Sequence, residues 1–403
     1  MYGGRPPLCH PDAMTHTPEE YKEIAPHDDD QFKQRMAHLL ADPGFERAIR
    51  YIMPDADFKE LSEKLSKITN KDDFQRDIML DILLLLERAT TSGVTDAGID
   101  TLDLSKSRLF ITNHRDIVLD ASFLGLAMLR HGFPAQEVAL GDNLLIYDWI
   151  SDLVRLNKGI IVKRNLRLTK ALEAAKQLSG YIHYCIREKG ESVWIAQREG
   201  RAKDSNDVTQ ESVLKMLALA GDASSLAGRL LELNITPTSI SYEYDPNDYL
   251  KAREFLARRR DPEFKKSQRD DLFSMETGIL QYKGQVHFSV GPCINPELEK
   301  LVGCADKVEV VRKVCSLIDN HIHRGYKIFP LNYIAYDTVN ATDRFKDCYT
   351  AGDIEKFNKY LDGQIAKVDL PDINDEERDF MRRAILEMYA NPLRNKLAAE
   401  KAE

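Results

Sequence analysis

No stretch of this 403-residue chain stays apolar for long. Its longest purely apolar runs, such as residues 82–86, fall far short of the roughly 20 residues that span a bilayer. The first thirty residues carry proline, histidine and acids and lack the apolar centre of a secretory signal. Cysteine is scarce and scattered. The six residues Cys9, Cys185, Cys293, Cys304, Cys315 and Cys348 show no C-x-x-C spacing, which argues against a zinc site or a disulfide framework and fits a reducing compartment. Positive charge is not in surplus either, and a net charge of −9 disfavours a general nucleic-acid binder. What is present, 43% hydrophobic and 30% charged residues, describes a soluble globular protein with one large core and appendages, or two domains.

Residues 1–30 are rich in proline, histidine and threonine and read as a loose tail. Residues 31–90 read as helical. In the last of these helices Phe74, Ile78, Ile82 and Leu85 recur every three to four positions and predict one apolar stripe, stopped by Thr91-Ser92-Gly93. The plain reading is a helical region packed on the core; the alternative lays part of it on a membrane surface.

From about Ile99 short strands alternate with helices, the texture of an α/β domain. Strands are expected at 108–112, 137–140, 159–162, 192–196, 235–241 and 285–290. The clearest helix is predicted at 167–188, with Leu168, Leu172, Ala175, Leu178, Ile182 and Cys185 buried, Asn165 as N-cap and Gly190 at the stop. Another follows Pro292, with Val310, Val311, Val314, Leu317 and Ile318 on its apolar side. A tyrosine-rich connection is expected after Pro330, then helices, one opened by Asn374-Asp375-Glu376-Glu377 as a cap with Glu at N3.

The stretch Asn113-His114-Arg115-Asp116, at the end of the first expected strand of this region, carries the chemistry. A histidine at a strand-to-helix junction, with carboxylates at Asp116 and Asp120, suits a general base whose ring and tautomer a carboxylate holds. A protein-kinase catalytic loop uses similar letters. It is excluded: no G-x-G-x-x-G precedes His114, the residue five past Asp116 is Ala121, and there is no Asp-Phe-Gly.

The stretch resembles the first motif of the glycerolipid acyltransferases. Three later blocks match that family in order: Asn157-Lys158-Gly159 to Arg164, Val193-Trp194 to Glu199-Gly200-Arg201, and Asn234 to Ile240 with Pro237. The resemblance covers roughly residues 100–325. It implies His114 as base with an aspartate partner, and Arg164, Arg198, Glu199, Gly200, Arg201 and Lys203 as the site for a substrate phosphate. Pro237 would border the acyl pocket. The family usually places its aspartate five residues after the histidine, where this chain has Leu119. Asp120 is the preferred partner, since one extra residue in a tight turn is easily absorbed, with Asp116 the alternative. The family's Glu-Gly-x-Arg is here Glu199-Gly200-Arg201-Ala202, so the arginine is shifted by one or shares its task with Arg198 or Lys203.

The reading is therefore an α/β fold, a mixed central sheet flanked by helices, with a helical region over 1–95, the acyltransferase domain over 96–325 and a helical extension over 326–403. The resemblance implies transfer of a fatty acyl group from a CoA or acyl-carrier-protein thioester to glycerol 3-phosphate or its 1-acyl form, with no cofactor and no metal. The alternatives are an O-acyltransferase for another lipid, such as an amino-acid lipid, and a binding protein of the same fold without catalysis. A cytoplasmic protein on the inner face of an anionic membrane is expected, and no nucleic acid. His321 and His323 diverge on a helix and read as structural. The basic run 251–269, with Arg253, Arg258, Arg259, Arg260, Lys265, Lys266 and Arg269, reads as a solvated face. Its functional alternatives are contact with anionic lipid or with an acidic carrier.

Overall fold

The computed structural model describes residues 16–401 except 56 and 104. Alternating strands and helices form an α/β molecule whose mixed sheet is flanked by helices. Among the described residues the strands are β1 (Gly93–Ala97), β2 (Leu109–Thr112), β3 (Glu137–Gly141), β4 (Gly159–Val162), β5 (Val193–Ala196), β6 (Thr236–Tyr242) and β7 (Gln285–Val290). They lie in the order β1-β7-β6-β2-β5-β3-β4. β6, β2, β5, β3 and β4 run parallel, β7 is antiparallel to β6, and β1 runs parallel to β7. The C-terminal ends of β2, β5, β3 and β4 therefore open on one edge, where ligands bind in such sheets.

Alternation along the central strands divides the core. Leu109, Ile111, Val193 and Ile195 face helices Leu168–Tyr184 and Lys307–Gly325. Phe110, Trp194 and Ile240 face helix Leu119–Arg130 on the other side. β2 is buried at all four positions, which is why it reads as an unbroken apolar run. Another cluster joins helix Asp248–Arg260 to the C-terminal helices Pro330–Asn340, Ala351–Ala366 and Asp375–Lys401. The last of these opens with the expected reciprocal cap: Asn374 Oδ1 accepts from Glu377 N–H, and Glu377 Oε2 accepts from Asn374 N–H.

Several expectations need correction. The tail is loose only on paper: Ile24, Ala25 and His27 are buried, and the Ile24 carbonyl accepts from Ile161 N–H on β4. Residues 1–15 of that tail lie outside the described residues. β1 was not expected, because Gly-Val-Thr-Asp-Ala carries one large apolar residue and reads as a helix stop.

The stripe Phe74-Ile78-Ile82-Leu85 breaks at a π-turn, Gln75–Met79. The wider turn advances the register, so Leu83 and Leu86 are buried while Leu85 is exposed. In helix Leu168–Tyr184 the stripe is buried only in its second half. Leu168 and Leu172 are 88% and 51% exposed. Asn165 adopts a left-handed turn ahead of the helix and does not cap it; Arg167 occupies that position. The tyrosine-rich connection is helix Pro330–Asn340 itself.

The basic run is largely paired. Arg259 and Arg260 bind Glu376 and Glu377 of the C-terminal helix, Arg258 binds Glu254, and Lys251 is buried against Asp245. It fastens the C-terminal extension more than it presents a free positive face. Among the described residues no helix is long and apolar enough to cross a membrane.

Candidate active site

His114 follows the C-terminal end of β2. Asn113 fixes that end: its side-chain amide donates to the Ile240 carbonyl at 2.9 Å and its oxygen accepts from Ile240 N–H at 2.8 Å. The amide thus continues the ladder to β6 after the backbone has turned away. The His114 Nδ1 lies 2.8 Å from Asp120 Oδ2. Asp120 stands in the first turn of helix Leu119–Arg130 and is fully buried. Its Oδ2 also accepts from Arg115 N–H at 2.7 Å and Asp116 N–H at 3.1 Å, and its Oδ1 accepts from the Tyr242 hydroxyl at 2.9 Å. A carboxylate so held keeps Nδ1 protonated and turns Nε2 into the free base. The imidazole packs edge-on against Trp194 of β5, with ring centroids 5.7 Å apart.

Asp116 has a different place. Its Oδ1 accepts from Val118 and Leu119 N–H at 2.9 and 2.7 Å, capping the helix, and Oδ2 accepts from Asn247. Burial, with Asp120 nearby, holds its carboxyl above the usual range. The structure brings Asp120, and not Asp116, onto the ring.

His114 lines a cavity of about 1040 Å³ over the ends of β3, β4 and β5. Its lining includes the apolar side chains of Ile24, Ala139, Ile161, Ala175, Leu178 and Met216. It also includes the cations Arg164, Arg198, Arg201, Lys203, Arg258 and Lys266, with Glu199, Asp204 and Asp271 among them. Arg164 lies over Gly141, where an added Cβ would fall 2.5 Å from the guanidinium Nε. Its backbone N–H donates to Asp142, and its Nε is 3.9 Å from the exposed Glu199. Gly200 turns the chain with φ +71°, which favours glycine. Arg198 Nε and Arg201 Nη1 are buried without a hydrogen-bond partner among the described residues. Lys203, Arg258 and Lys266 crowd around the single buried carboxylate of Glu254, so Lys203 is already engaged. Burial, with Arg201 next, holds the Lys266 ammonium below its usual range.

Pro237 sits in β6 opposite Ile111, buried, and is not among the cavity-lining residues. Its carbonyl accepts from Gly291 N–H of the chain leaving β7, just beyond the last pair, Thr238 with Val290, and the proline nitrogen has no N–H to return the bond. His323 meets the Asp207 carbonyl through Nε2. Tyr242, Asn113 and the Arg115–Asp207 pair were not foreseen. Tyr242 and Asp207 reach the site from far along the chain, whereas Asn113 and Arg115 adjoin His114.

Fold and site together define an α/β protein with a histidine–carboxylate pair on a cavity lined by both apolar and cationic side chains. No family model and no curated protein matches the chain. Among solved structures it is similar to the 1-acyl-sn-glycerophosphate (LPA) acyltransferase PlsC from Thermotoga maritima. The TM-score is 0.37 and the identity 11%, over 72% of this chain and 92% of that one. That likeness is distant.

Proposed function

We propose that the protein is an O-acyltransferase that moves a fatty acyl group from a CoA or acyl-carrier-protein thioester to a hydroxyl of glycerol 3-phosphate or its 1-acyl form. The observation that carries this reading is the His114–Asp120 pair on a cavity whose lining holds both apolar side chains and a cluster of cations. His114 Nε2 takes the acceptor's hydroxyl proton as the oxygen attacks the thioester carbonyl. The C–S bond then breaks, and the imidazolium returns the proton to the leaving thiolate. The base accounts for on the order of 10²–10⁴ in rate. Arg164, Arg198 and Arg201 supply planar, permanent charge for the acceptor's phosphate, and the apolar side chains of the lining take the acyl chain. The protein would work at the cytoplasmic face of a membrane.

The test follows free thiol release from palmitoyl-CoA, and from the matching acyl carrier protein, with and without glycerol 3-phosphate or its 1-acyl form. Acceptor-dependent release that is lost in His114→Ala is expected. Thiol release indifferent to every phosphorylated acceptor would sink the reading.

A further inference from the structure

The apolar stripe of helix Leu168–Tyr184 changes surroundings along its length. At its inner end Leu178, Ile182 and Cys185 are core. In the middle Ala171, Ala174, Ala175 and Leu178 form the cavity wall. At its outer end Leu168 and Leu172, one turn apart on one face, are 88% and 51% exposed, with Leu166 on the cavity rim at 36%. A leucine left almost fully in water is ordinary when solitary. Three around one helix start, continuous with a cavity wall, form an unpartnered apolar ridge.

Charge says what covers it. Residues 165–176 carry Arg167, Lys170 and Lys176 against Glu173, a local surplus of cations in a chain whose net charge is −9. All three are exposed. Apolar side chains ringed by basic ones are the pattern of an element seated in the headgroup boundary of an anionic bilayer.

We propose that the ridge Leu166-Leu168-Leu172 is the membrane-docking surface of this protein, and that it sets the cavity mouth against the bilayer. The stripe runs about 15 Å from Leu168 to Leu178 at helical rise. A long acyl chain could thus pass from lipid to cavity wall along apolar side chains without crossing water. The proposal rests on the acyltransferase reading for the nature of the cargo, but not for the docking itself.

The experiment is co-sedimentation of the full chain with vesicles of phosphatidylglycerol and phosphatidylcholine, and with phosphatidylcholine alone. Wild type and His114→Ala should partition equally onto the anionic vesicles, whatever their activity. Leu168→Glu and Leu172→Glu, which do not line the cavity, should each weaken partitioning by about tenfold or more. They should keep the wild-type circular dichroism spectrum and turnover of a water-soluble short-chain thioester. Leu168→Ser and Leu172→Ser, without added charge, should lose in the same order by less. Unchanged partitioning in all four variants would overturn the proposal. So would vesicle binding that survives while affinity for an acidic acyl carrier protein falls, which would make the ridge a carrier-docking face. Loss of transfer in wild type with intact, ridge-dependent docking would overturn the enzymatic reading alone.

Discussion

Asp207 grips Arg115 through both carboxylate oxygens, at 2.7 and 2.5 Å, in a pair wholly buried beside the histidine. Tyr326 adds a hydroxyl to the same carboxylate, and the Arg115 backbone N–H holds Asp120. One residue therefore ties the carboxylate that meets His114 to the loop that carries Arg198, Arg201 and Lys203. Removing one partner of a buried pair leaves an uncompensated charge, at about 3–5 kcal/mol. Asp207→Asn should lower the melting temperature markedly and raise the KM for the phosphorylated acceptor. A variant melting as wild type does would refute this account of the pair.

Asp120 and Asp116 should separate cleanly. Asp120→Asn loses the charge that orients the imidazole and should cost about 10² or more in kcat. Asp116→Asn retains an oxygen for the Val118 and Leu119 cap. Its new amide can serve the Asn247 Oδ1, which is buried without a hydrogen-bond partner among the described residues. It should leave turnover and melting temperature nearly unchanged. Steady-state kinetics of the two variants side by side decide the matter, and the reverse ranking would move the dyad to Asp116.

Arg164→Lys and Arg201→Lys keep a charge and lose the fork. Each should raise the acceptor KM by roughly tenfold or more, the equivalent of 1.4 kcal/mol, with little change in the KM for the thioester. Gly141→Ala should act like Arg164→Lys, because the methyl takes the place of the guanidinium. Normal acceptor kinetics in all three would mean that these cations do not hold the phosphate.

Acid should loosen the docked N-terminal segment. Burial first, then Arg155 and Arg35, push the His27 imidazole down to about 4, against an ordinary value of 6.5. Between those values the unfolded chain binds a proton that the folded chain refuses. Stability therefore rises with pH across the window and is lost as pH falls through it. Hydrogen exchange of residues 17–28 should speed up between pH 6.5 and 4 beyond the intrinsic rate, less so in His27→Gln. Identical profiles for the two proteins would exclude His27 as the cause.

The parallel centre of the sheet was legible because a strand covered on both faces is written as an apolar run, as in Phe110-Ile111 and Gly159–Val162. The contact between His114 and Asp120 was legible because the two are neighbours in sequence. β1, with one large apolar residue, was not. A π-turn has no letter of its own, so the register slip after Ile78 could not be seen. Tyr242 lies 122 residues from the carboxylate it holds, with no local pattern to announce it. Leu168 and Leu172 misled for another reason: periodicity reports an apolar face, but not whether protein covers it.

The Ile24–Ile161 bond has a further consequence. β4 ends the sheet, and a bare terminal strand is a template for a second copy of itself. Ile24 occupies that template and at the same time closes one side of the cavity. Proteolytic nicking that released residues 17–28 would therefore produce two faults in the same molecule: self-association into aggregates through β4, and a cavity opened to solvent on the side that Ile24 lines.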